Sequence, residues 1–92
     1  MTEVEHLNNH HRDTLIKIFQ HPTSHNIEWH SVLSLLEAVG TVEERHEDKF
    51  HVDLDGEHHI FMRPKHKDVD VQQVLNLRHA LTDAGITPET LT

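Results

Sequence analysis

His46, His51, His58, His59 and His66 crowd the middle of this chain, interleaved with Asp48, Asp53 and Asp55, the last histidine lying among Arg63, Lys65 and Lys67. Imidazole moves protons near neutral pH, and together with carboxylates it can ligate a divalent metal. Arg and Lys neutralise phosphate charge without reading bases. Three chemistries are therefore in question, and spacing weighs against one of them. The two histidines of His46-Glu47-Asp48-Lys49-Phe50-His51 stand five apart, where a zincin helix needs four. Adjacent His58 and His59 point to opposite faces of a strand, so they cannot join His51, Asp53 and His66 around one ion without distortion. No metal or other cofactor is expected. His6 and His10 have helical spacing but lie in a fraying end.

The basic cluster Arg63, Lys65, His66 and Lys67 is the dense one in the sequence. It reads either as a phosphate contact or as a solvated loop paired with Asp68 and Asp70. Phe50 and Phe61 are wanted by the core, so stacking on single-stranded bases is not expected. Trp29 reads as a core anchor.

These groups have to be positioned by a small frame. Ninety-two residues form one domain with a single core. The absence of cysteine rules out disulfides and thiolate zinc sites and agrees with a reducing interior. The opening MTEVEH is acidic and polar, unlike a secretion signal, and no stretch is long and apolar enough for a membrane span, so a cytoplasmic protein is expected. A formal charge of -8 opposes generic binding to a polyanion, although protonation of all twelve histidines would reverse its sign.

Phe50, Val52 and Leu54 alternate with His51 and Asp53 at the period of a half-buried strand. Asp55-Gly56 tolerates the positive φ angles of a two-residue hairpin, so His58 to Arg63 should fold straight back, with Pro64 ending the pairing. That register pairs Asp53 with His58, His51 with Ile60 and Lys49 with Met62. Phe50, Val52, Leu54, His59 and Phe61 then share the core face, and His51, Asp53, His58, Ile60 and Met62 share the outer one. The outer face either binds something or is solvated with a few exposed methyl groups.

Residues 1 to 8 read as a frayed lead-in. Leu15, Ile18 and Phe19 predict a helix from Asp13 to Gln20, starting as early as Asn8 and broken at Pro22. A second helix, Glu28 to Val39, carries Trp29, Val32, Leu33, Leu36 and Val39 on one stripe, with Asn26 as a cap and Gly40 as terminator. Thr41 to Arg45 is a short first strand. Asp70 with Gln73 resembles a capping box for a third helix that buries Val71, Val74, Leu75, Leu77 and Leu81 and stops at Gly85. The predicted fold is α+β, in the order α-α-β-β-β-α, with a three-stranded antiparallel sheet and helices mainly on one face.

The helix ending in Gly40, the Asp55-Gly56 hairpin, and Pro64-Lys65-His66-Lys67 leading into a helix closed by Ala84-Gly85 resemble the HicA family of small mRNA-cleaving toxins. The likeness covers 27–86, with 1–26 added before it and 87–92 a loose tail. It implies a fold similar to the double-stranded-RNA-binding domain, an RNA target and an antitoxin-like protein partner. The family carries Gly-Ser-His at the start of the second strand, with the histidine as catalytic residue. Here that stretch reads His46-Glu47-Asp48-Lys49-Phe50, leaving His46 and His51 as displaced candidates for metal-independent RNA cleavage.

Two function classes follow. One is a HicA-like RNA-associated domain whose cleavage is lost or weak. The other is a protein-interaction or self-association module that pairs through an edge strand, Thr41 to Arg45 or His58 to Arg63.

Overall fold

The computed structural model describes residues 7–91, and each helix in it has a chemical start or stop. Asn8 is extended and its side chain accepts the His11 amide at 2.8 Å, so helix α1 runs Asn9–Ile18. Helix α2 spans Trp29–Val39. Its cap position is Glu28 rather than Asn26, whose side chain instead bonds Ser24. Asp70 accepts the Gln73 amide at 2.8 Å and starts helix α3, Val71–Asp83. The box is not reciprocal, because Gln73 Nε2 donates to the Met62 carbonyl and ties α3 to the sheet. Gly85, at φ 77, ends α3 with the Ile86 amide returning to Leu81 and the Gly85 amide to Thr82.

Strands β1 (Thr41–Arg45), β2 (Lys49–Leu54) and β3 (Glu57–Met62) form one antiparallel sheet in that order. Asp53 faces His58, His51 faces Ile60 and Lys49 faces Met62, the register expected from the hairpin. The architecture is the predicted α+β order, α-α-β-β-β-α.

Phe50, Val52, Leu54 and Phe61 pack against Leu15, Ile18, Leu35, Leu36, Leu77 and Leu81 in one core. Leu7 is buried there too, so the lead-in is ordered at least from that residue. The helical stripes differ in detail from the expectation. Leu35 is buried where Leu33 is only partly so, and Val71, the first residue of α3, is 36% exposed. Ile86 is fully buried, and a 3-10 turn at Pro88–Leu91 contacts α1 in place of a loose tail.

Gly40 is needed for space rather than for a left-handed turn. Its φ is -158, and a Cβ there would lie 2.3 Å from the Asp53 carbonyl oxygen and 2.7 Å from Leu54 Cδ2. The end of α2 thus touches the backbone of β2. Arg78 fastens the other side, donating to the Ile18 and Gln20 carbonyls at the end of α1.

Candidate functional site

The hairpin turn builds the site. Asp55 and Gly56 have φ of 50 and 87, as a two-residue turn twisted with its strands requires. Leu54 and Glu57 close it, so Asp53 and His58 fall in a pair without backbone hydrogen bonds, where opposite side chains approach most closely. Asp53 Oδ1 lies 2.9 Å from His58 Nδ1, and His58 Nε2 lies 2.9 Å from His51 Nδ1. Thr41 Oγ1 donates to the other Asp53 oxygen at a long 3.5 Å.

Directions follow from the chemistry of the groups. An ionised Asp53 only accepts, so His58 Nδ1 carries the proton. A neutral His58 then accepts at Nε2, so His51 Nδ1 carries its own proton and His51 Nε2 keeps a lone pair. The result is an oriented chain, Asp53 to His58 to His51, that ends in a base. Partial burial of the ring holds the His51 pKa below the ordinary 6.5, reinforced by the positive charge of Arg45 and by His58, and opposed by Glu43.

Neighbours on the same face complete the surroundings. Glu43 is opposite His51, and Arg45 opposite Lys49 in the adjoining row. Arg45 bonds Glu43 at 2.6 Å, while Lys49 has no ion-pair partner among the described residues. A shallow depression is lined by Thr41, Glu43, Arg45, His51, Asp53 and His58. His46 stands in the β1–β2 turn and takes no part in the histidine chain. His59 points to the core side, where it stacks on Phe61. No cluster of three or more metal-ligating side chains occurs among the described residues.

The basic cluster divides. Arg63 crosses the face of Phe50, 5.1 Å from the ring centre, and bonds Glu44 at 2.9 Å and Asp48 at 3.2 Å. Hydrogen bonding to Glu44 raises its pKa further, so it is a fixed cation holding the β1–β2 turn to the end of β3. Lys67 reaches Glu28 at 3.2 Å, and its carbonyl accepts the Trp29 amide. Glu28 is held below the usual carboxylate range by Lys67 and then by His30. These partners replace the expected Asp68 and Asp70. Lys65 and His66 remain exposed at the middle of the loop.

His58 was expected opposite Asp53 on the outer face, but neither its bond to His51 nor the place of Arg45 beside the site was expected. The signal for His58 was present, since an Asp two residues before Asp-Gly and a His two residues after it must oppose each other across the turn. The acidic partners of Arg63 and Lys67 lie far away in sequence and gave none. Compared with models of protein families, with curated proteins and with solved structures, the chain matches none of them.

Proposed function

We propose that this chain is a HicA-like, RNA-associated domain with weak, metal-independent phosphodiester cleavage, in which His51 is the base. The observation that carries the reading is the His51 ring, oriented through His58 by Asp53 on a sheet face that no helix covers among the described residues. Its Nε2 would take the proton of a ribose 2′-hydroxyl. The 2′ oxygen then bonds to the adjacent phosphorus, the bond from phosphorus to the 5′ oxygen breaks, and His51 returns its proton to that oxygen. Proton uptake places positive charge two hydrogen bonds from Asp53, which stabilises it. Lys49 in the next row supplies charge for the phosphate, Arg45 beside it being bonded to Glu43.

Weakness has a physical origin. The neighbouring imidazole, His58, is tied up between Asp53 and His51, so in this reading one ring serves both sides of the phosphate. The formal charge of -8 also limits affinity for a polyanion, leaving Lys65 and His66 as the loop groups available to a backbone phosphate. The resemblance of the Pro64-Lys65-His66-Lys67 loop to that of the family supports an RNA partner.

The test is a gel time course with structured and single-stranded RNA at low salt, with chelator present. Cleavage should be lost in His51→Ala, reduced in Asp53→Asn and kept in His46→Ala. A Lys65→Ala/His66→Ala variant should weaken RNA retention. Cleavage by His51→Ala at the wild-type rate would remove the base from the mechanism. Neither cleavage nor retention by the wild type would sink the RNA reading.

A further inference from the structure

The hairpin that builds the histidine chain also decides which backbone groups of β3 face outward. Leu54 and Glu57 close the turn, and the Arg63 amide bonds the Asp48 carbonyl at 2.9 Å, so pairing alternates between these points. His58, Ile60 and Met62 therefore turn their backbone groups away from β2. Among the described residues no strand lies beyond β3 in the sheet. The Met62 carbonyl accepts Gln73 Nε2 at 2.7 Å, with a second lone pair left.

Free edges are usually guarded by charge, and β1 is. It reads Thr41-Val42-Glu43-Glu44-Arg45, and two copies paired about its centre would set Glu43 against Glu43. From His58 to Met62, β3 carries no Lys, Arg, Asp or Glu, and Ile60 and Met62 stand 53% and 47% exposed beside each other on the uncovered face.

We propose that β3 pairs antiparallel with β3 of a second copy of this chain about a two-fold axis at Ile60. This register is self-complementary on three counts. Outward-facing backbone groups meet outward-facing ones, Ile60 with Ile60 and His58 with Met62. Each sheet face continues across the join, Ile60 packing on Ile60 outside and Phe61 opposite His59 inside. Glu57 of one copy falls opposite Arg63 of the other, a cation already held by Glu44 and Asp48, so no like charges meet where β1 would oppose Glu43 to Glu43. The two uncovered faces become one six-stranded surface on which the His51 rings stand three strand spacings, about 14 Å, apart. The pairing does not depend on the RNA reading.

The test is mass by sedimentation equilibrium on the full chain, from roughly 1 μM to 1 mM, the range of specific but weak association. The wild type should pass from monomer to dimer. Ile60→Lys and Ile60→Glu should each remain monomeric with an unchanged far-ultraviolet circular dichroism spectrum, because Ile60 faces away from the core. Mixed in equal amounts, these two variants should form a heterodimer, since the axis sets residue 60 against itself. A monomeric wild type at the upper concentration overturns the proposal. So does a dimer that persists undiminished in both variants, or a mixture that fails to associate.

Discussion

Neighbouring residues of β2 work in different media. Phe50, Val52 and Leu54 are at most 3% exposed beneath the helices, whereas His51 and Lys49 are half-buried and Asp53 is exposed on the other side. On the covered face even a cation is fixed, as Arg63 is by Glu44, Asp48 and the Phe50 ring. On the uncovered face the polar groups are oriented but keep free capacity, in the His51 Nε2 lone pair and the Lys49 ammonium. Basic composition alone is thus a poor guide to a site, because what matters is which charges the fold has left without partners.

Side-chain truncation gives the sharpest contrast between the faces. Leu54→Ala should cost about 3 kcal/mol in urea unfolding, from lost burial and the cavity left behind. Ile60→Ala, on the opposite face of the adjoining strand, should change stability by less than about 0.5 kcal/mol. Similar losses at both positions would mean that the uncovered face is packed after all. Gly40→Ala should cost roughly 2 kcal/mol, since the added methyl meets the Asp53 backbone and must push α2 from the sheet. That displacement should also shift the Asp53 and His58 resonances, linking the two faces through one strand. A Gly40→Ala protein of wild-type stability would show that the contact is loose.

The smallest effect is on proton binding. His51 should titrate below 6.5 in a nuclear magnetic resonance experiment, and Arg45→Gln should move its midpoint upward. A depressed folded pKa means that the His51 contribution to stability is present above the unfolded value and is lost as pH falls through the folded one. The acid limb of any cleavage should lie below 6.5 for the same reason. A midpoint above 6.5 would show that the ring is stabilised as a cation and is not poised as a base.

Much of the frame could be read from local chemistry. The alternation of β2 and the Asp55-Gly56 turn determined the register and the division of His51, Asp53 and His58 from His59. Asn8, Asp70 and Gly85 marked helix ends through hydrogen bonds that reach only three to five residues. Gly40 was expected at the end of α2 for the wrong reason, because its need for space arises from a strand that follows it by more than ten residues.

The sequence by itself determined the order of the elements and which side chains share a sheet face, since periodicity and turn geometry act over a few neighbouring residues. Only the tertiary structure decided that Arg63 and Lys67 are paired with Glu44, Asp48 and Glu28, and that Asp53, His58 and His51 form one hydrogen-bonded chain. Those outcomes depend on distances between groups brought together by the closed fold, and no local pattern encodes them.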